Sequence, residues 1–142
     1  MLGTVRAKKV LFSPGRGQPC VAYRYRDSGG HDEHREIPFE LVDESGRALV
    51  DPASVVLAVT IREGIGFGRS FVGARFLANH GHPGTHLEQC VEVGQQVYVL
   101  GACMRELDPA ANDGLYRDGA ASRLRFGPRD DMPLVLADTL EI

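Results

Sequence analysis

The chain has 142 residues, enough for one domain with its own core, and its 43% hydrophobic and 25% charged residues are ordinary for a globular protein. A formal net charge of -3 argues against a general nucleic-acid binder. No apolar run approaches the roughly 18–20 residues of a membrane-spanning helix, and three cysteines are too few for a disulfide framework.

The N-terminal half of the chain predicts short strands joined by turns. Val21, Tyr23 and Tyr25 alternate with other residues, as in a strand with one buried face. Serine, proline and glycine residues at 13–19 predict a tight turn before this strand, and residues 27–35 are predicted to form a polar loop. The strands predicted in this half cover residues 4–12, 21–26, 37–43, 48–50 and 54–62.

The C-terminal half predicts further strands and one or two short helices. Residues 71–79 suit a short helix with Ser70 as its N-cap, and Asp108 with Pro109 suits the start of a helical turn. Residues 97–100 form the most apolar strand, which predicts a buried Tyr98. The strands predicted in this half cover residues 87–91, 96–104, 122–126 and 134–140.

Frequent turns and few helices predict a mainly β protein. We expect a single antiparallel domain over residues 1–142, either a partly closed barrel or a sandwich, with one or two short helices. We find no internal repeat, low-complexity tract or interdomain linker in the sequence.

Charge is unevenly distributed along the chain. Residues 1–26 contain six basic residues and no acidic one, whereas residues 27–51 are mainly acidic. One interpretation is that the two segments pair as neighbouring strands with opposite charges facing each other. The other is that a basic N-terminal face, including Arg6, Lys8 and Lys9, contacts anionic lipid headgroups.

Three histidines and a cysteine lie close together in the segment HGHPGTHLEQC. Imidazole and thiolate groups are good zinc ligands, so a metal-dependent enzyme or sensor using residues 80–90 is one hypothesis. The spacing matches no zinc signature, and Gly81, Pro83 and Gly84 favour a solvated loop. We therefore expect this segment to bind no metal. The candidate ligands are His80, His82, His86 and Cys90.

No other pattern points to catalysis or to a cofactor. The glycines at 64, 66 and 68 lack the spacing and βαβ context of a dinucleotide loop, and no serine lies in a nucleophile elbow. Tyr23 and Tyr25, interleaved with arginines, resemble a single-strand nucleic-acid platform, but on a strand they are expected to fill the core. We therefore expect no catalytic residues and no cofactor. A nucleic-acid-binding barrel that uses the basic N-terminus is a second alternative function, although a nucleic-acid partner is not what we expect.

Five ordered motifs resemble the GIDE-type domain family, also called BAM, for beside a membrane. The N-terminal motif is Ser13-Pro14-x-x-Gly17-x-Pro19-Cys20-Val21-x-Tyr23-Arg24. Four more follow in order: Pro38-Phe39-Glu40-Leu41-Val42-Asp43-Glu44-Ser45-Gly46, then Val50-Asp51-Pro52, then Gly94-Gln95-Gln96-Val97-Tyr98-Val99-Leu100-Gly101, and last Pro133-Leu134-Val135-Leu136-Ala137-Asp138. The motifs span most of the chain, although residues 61–86 and 105–125 carry no match.

The resemblance implies a domain beside or between transmembrane helices. Eukaryotic members carry a C-terminal RING with ubiquitin-ligase activity, but three cysteines cannot build a RING, so the chain resembles a prokaryotic-like member without one. The expected function is that of a non-catalytic soluble β domain of a membrane-anchored protein, acting in protein interaction or scaffolding. It would be membrane-associated through segments outside this chain, and its protein partner is unknown.

Overall fold

The structure is a computed structural model that describes residues 1–65, 85–107, 122–129 and 131–139. These residues form two β-sheets, neither of them closed into a barrel, so the mainly β prediction is confirmed in its sandwich-like form. The strands are β1 (Leu2–Arg6), β2 (Leu11–Phe12), β3 (Pro19–Asp27), β4 (Asp32–Glu36), β5 (Phe39–Asp43), β6 (Gly46–Val50), β7 (Val56–Ala58), β8 (Arg62–Ile65), β9 (Thr85–Glu92), β10 (Gln96–Leu100), β11 (Cys103–Leu107), β12 (Ser122–Phe126) and β13 (Val135–Ala137).

The larger sheet contains eight strands in the order β11-β12-β6-β5-β1-β10-β13-β7. Most neighbours are antiparallel, as predicted, and β5 and β6 form a hairpin that closes at Asp43 and Gly46. The Asp43 carboxylate accepts hydrogen bonds from the backbone N–H groups of Ser45 and Gly46, at 2.8 and 3.1 Å. Two pairs in this sheet, β12 with β6 and β13 with β7, are parallel.

The smaller sheet is centred on β3 and β9. Its order is β2-β3-β9-β8, and β4 also pairs with β3. The pairing of β3 with β9 shifts register between Cys20 and Ala22. Such an irregularity allows the side chains of Cys20 and Tyr23 to reach the same apolar cluster although three positions separate them.

The main core lies between the two sheets. Both sheets contribute, with Val21 and Val91 from the smaller one and Val5, Leu41 and Leu136 among those from the larger one. A second, smaller cluster lies on the other face of β3 and contains Leu11, Cys20, Tyr23 and Tyr25, with Ile37 and Cys90 packed against it.

Several predicted elements differ from the observed ones. The polar loop predicted over residues 27–35 contains a strand, β4, which forms backbone hydrogen bonds with β3. Two arginines of β3 also lie within ion-pair distance of Asp32 in β4. The long strands predicted at 4–12, 54–62 and 96–104 are each interrupted. The helix predicted at 71–79 and the helical turn at Asp108 lie outside the described residues, which contain no helix.

Tyr98 also differs from its prediction. Val97 and Val99 point into the core, so Tyr98 lies on the opposite face of β10 and is only half-buried.

Among the residues that the structure describes, no helix is long and apolar enough to span a membrane.

Candidate functional site

A groove of about 660 Å³ opens on the larger sheet, where β1, β5 and β6 meet the segment that follows β1. Its apolar lining includes buried, half-buried and exposed residues. The apolar lining residues are Ala7, Ile37, Pro38, Phe39 and Leu49. A concave apolar surface with a few charged groups at its rim is the usual form of a ligand site.

Charged side chains stand at the rim of this groove. Arg6, Lys8 and Lys9 are exposed, and none of the three has an ion-pair partner among the described residues. Arg6 lies directly opposite Glu40 in the ladder between β1 and β5, but Glu40 is 3.3 Å from the Arg47 guanidinium instead. The rim therefore carries three uncompensated positive charges, and we name Arg6, Lys8 and Lys9 the basic rim.

The other three basic residues of the first 26 are paired. Arg24 Nη2 lies 3.0 Å from Asp32 Oδ2, Arg26 lies 3.7 Å from the same oxygen, and Arg16 lies 3.7 Å from Glu92. The hydrogen bond from Arg24 lowers the pKa of Asp32. The predicted cross-strand charge pairing is therefore confirmed for Arg24 and Arg26. The basic rim takes no part in such pairing among the described residues.

A buried polar cluster lies beneath the turn that precedes β3. His86 and Glu88 share one face of β9 and are 7% and 2% exposed. The Gly15 backbone N–H donates a 2.7 Å hydrogen bond to Glu88 Oε2, and the His86 ring stacks on Tyr25 with centroids 5.5 Å apart. His86 Nδ1 and Glu88 Oε1 are buried without a hydrogen-bond partner among the residues that the structure describes.

Glycine is required at two positions around this cluster. A Cβ on Gly15 would lie 2.6 Å from Glu88 Oε2 and 2.9 Å from His86 Nε2. Gly64 lies opposite His86 in the ladder between β8 and β9, and a Cβ there would collide with the imidazole ring. The backbone of β8 therefore approaches the His86 ring closely at Gly64.

The pKa values of Tyr23, Tyr25 and Cys90, at the second cluster, are raised. Burial and the 2.9 Å hydrogen bond that the hydroxyl donates to Glu33 raise the pKa of Tyr23, and burial raises that of Tyr25 to about 12. A hydrogen bond with Cys20, together with burial, raises the pKa of the Cys90 thiol. Because the two tyrosines are buried, as predicted, they offer no stacking surface to a nucleic-acid base.

The predicted metal ligands fall into two groups. His86 and Cys90 lie on the same face of β9. Cys90 lies in a strand, as predicted, and this strand begins earlier than expected, at Thr85, so that it also contains His86. His80 and His82 lie outside the described residues. In the parts of the chain that the structure describes, no three histidine, cysteine or acidic side chains are grouped so that they could hold a metal ion.

No family model matches this chain, and neither does any curated protein or solved structure. The resemblance to GIDE-type domains therefore stays a prediction that depends on the motifs quoted above.

Proposed function

We propose that the chain is a non-catalytic β domain of a membrane-anchored protein, acting in protein interaction or scaffolding, and that its basic rim contacts anionic lipid headgroups. The observation that carries the proposal is the contrast among the first six basic residues. Three are paired with carboxylates, and the three at the groove are exposed and have no ion-pair partner in the part of the chain that the structure describes. The ordered motifs that resemble the GIDE-type family support the placement beside a membrane.

The expected strength of the headgroup contact is modest. A lysine or arginine close to an anionic membrane surface contributes about 1 kcal/mol. Three such residues contribute about 3 kcal/mol, which alone gives a dissociation constant above about 1 mM. The contact therefore orients a domain that is anchored by other means, or it acts together with a second, apolar interaction.

Vesicle co-sedimentation tests the headgroup contact. We expect the protein to pellet with phosphatidylcholine vesicles that contain phosphatidylserine, and to stay in the supernatant with pure phosphatidylcholine. The double variant Lys8→Gln/Lys9→Gln is expected to bind about 30-fold more weakly, the equivalent of about 2 kcal/mol. Binding is also expected to weaken as salt screens the charges.

A matched variant controls for net charge. Arg62 and Arg129 are exposed and do not line the groove, so Arg62→Gln/Arg129→Gln removes the same charge elsewhere. This control is expected to bind anionic vesicles like the unmodified protein. Equal losses in the two double variants would show that overall charge, rather than the basic rim, determines binding, and would contradict the proposal.

The membrane-anchored context has its own test. The natural gene product, expressed with an affinity tag, is expected in the membrane pellet after cell lysis and after a high-salt wash. Release of the protein by salt alone would show that no membrane segment anchors it, leaving only an electrostatic contact.

The alternative of a metal-dependent enzyme or sensor is favoured by one observation. His86 and Cys90, two of the candidate ligands, share a face of β9, and His86 Nδ1 has no hydrogen-bond partner among the described residues, although no third ligand is grouped with them there. Elemental analysis after dialysis against a weak chelator separates the hypotheses. One zinc ion per chain, lost in a His82→Ala/His86→Ala variant, would place the metal function ahead of the interaction function. The second alternative is nucleic-acid binding through the basic N-terminus, which predicts salt-dependent oligonucleotide binding. The barrel expected with it is not formed by the described residues, because neither of their sheets closes.

A further inference from the structure

The groove beside the basic rim is large enough to hold more than a headgroup. Its volume of about 660 Å³ lies within the range of roughly 300–1,000 Å³ that ligand pockets occupy. Its lining is mostly apolar and includes Ala7, Ile37 and Leu49, whereas the Phe39 side chain belongs to the main core. A headgroup alone would leave this apolar surface in water.

The charges at the groove select the kind of ligand that complements it. Among the described residues, Glu40 is the one acidic lining residue and lies 3.3 Å from the Arg47 guanidinium, whereas the basic rim has no such partner there. The site is therefore cationic at its edge and apolar inside. A molecule with an apolar chain and an anionic end satisfies both parts at once.

The strands around the groove argue against an extended peptide as the occupant. β1 lies between β10 and β5, β5 lies between β6 and β1, and β6 lies between β12 and β5. None of the three offers a free edge along the sheet order, so a peptide could not add to the ladder there. Val10 and Phe12, exposed just after the basic rim, are apolar residues of the type that enter a lipid interface.

We propose that this groove binds the acyl chain of an anionic lipid while the basic rim holds the phosphate of its headgroup. The inference rests on the proposed function, since it names the ligand of the same basic surface. It adds the apolar interaction that three cations alone do not provide. Binding of a single lipid molecule would then hold the domain at one orientation on an anionic membrane.

Isothermal titration calorimetry with dodecyl phosphate, below its critical micelle concentration, tests the proposal without a membrane. We expect one dodecyl phosphate per chain, and at least tenfold weaker binding of ethyl phosphate, which has the same headgroup and almost no chain. Ala7→Leu, which adds apolar volume inside the groove, is expected to weaken dodecyl phosphate binding at least tenfold. Ala53→Leu, the same change at an exposed position outside the groove, is expected to leave it unchanged.

The outcomes separate this inference from the proposed function. Vesicle binding that depends on the basic rim, without dodecyl phosphate binding, would leave the headgroup contact standing and overturn the acyl-chain site. Dodecyl phosphate binding that Ala7→Leu does not weaken, with the fold intact by NMR, would place the ligand elsewhere and overturn it too. Binding of an acidic amphipathic peptide at the groove in place of dodecyl phosphate would assign the site to a protein partner. If the unmodified protein bound neither anionic vesicles nor dodecyl phosphate, both proposals would be overturned.

Discussion

Glu88 is the side chain on which the buried polar cluster depends. It is 2% exposed, and its carboxylate accepts the Gly15 N–H bond that holds the turn before β3 against β9. Removing one partner of a buried hydrogen bond costs about 1–3 kcal/mol. We therefore expect Glu88→Ala to lower the free energy of unfolding by about that amount. Glu88→Gln, which keeps an acceptor for Gly15, is expected to lose less.

Urea denaturation followed by circular dichroism measures both Glu88 variants. The difference between alanine and glutamine is the informative quantity, because it isolates the acceptor from the rest of the side chain. If the two variants lost the same stability, the Gly15 hydrogen bond would not be what the side chain contributes. An unchanged midpoint in Glu88→Ala would contradict the buried position of the residue.

The same residue shows why part of the site could not be predicted. By hydrophobicity, Leu87 should point inward and Glu88 outward, yet Leu87 is 40% exposed and Glu88 is buried. The register with β3 places His86 and Glu88 on the face that carries Tyr25, and the turn at Gly15 covers that face. A covering turn distant in sequence is not visible in the local pattern, whereas the alternation of Tyr23 and Tyr25 was sufficient to predict their burial.

At the scale of single strands, β10 and β13 show how period-two alternation assigns each side chain to a face. Leu136 pairs with Val99 in the ladder and is completely buried, while Leu100, one position on in β10, is 42% exposed. Leu136→Ala is expected to cost about 2–5 kcal/mol, as leucine deletions in cores do. Leu100→Ala is expected to change stability by no more than about 0.5 kcal/mol.

Chemical-denaturation midpoints of the two leucine variants check this assignment, provided that the slope with denaturant stays constant. Equal losses in Leu136→Ala and Leu100→Ala would mean that the faces of β10 and β13 are not distinguished as described. The same pair of measurements also bears on the wrong prediction for Tyr98, which lies on the outer side of β10 with Leu100.

Strand existence could be predicted better than strand ends and partners. Turn residues marked the β5–β6 hairpin, and β12 was predicted with its observed bounds. β4 was missed because its sequence, DEHRE, has no apolar side chain and so shows no hydrophobic alternation. Its pairing with β3, rather than an apolar face, makes it a strand. The parallel pairing of β12 with β6 joins residues far apart in sequence, and no local pattern indicates it.

For the whole molecule, composition and turn frequency were enough for the fold class but not for the site. The three members of the basic rim were visible as charges in the sequence, but the sequence does not show that Glu40, opposite Arg6, pairs with Arg47 instead. The groove depends on Ala7, Ile37 and Leu49 coming together from three separate segments. A cavity of this kind is a property of the assembled sheet, so it could not be read from any one strand.

The stability of the whole domain is expected to fall in acid, partly because of Asp138. This carboxylate follows β13 and accepts hydrogen bonds from the Thr60 N–H, at 2.8 Å, and the Thr60 hydroxyl, which ties it to the segment after β7. Burial acts to raise the pKa of Asp138, but these hydrogen bonds outweigh it and lower the pKa. The pKa of Asp43 in the β5–β6 turn is likewise lowered, first by the Ser45 hydroxyl.

The sign of the pH effect follows from these lowered values. An aspartate with a folded-state pKa below the unfolded value of about 3.9 contributes its full stabilisation above that pH, and loses it as the pH falls through the folded-state pKa. The urea midpoint is therefore expected to drop between about pH 5 and pH 2. Asp138→Asn keeps the acceptor but removes the titrating group, so its midpoint should depend less steeply on pH, and Thr60→Val should reduce the dependence by a smaller amount. If Asp138→Asn kept the full acid dependence, the contact between Asp138 and Thr60 would not be a source of it.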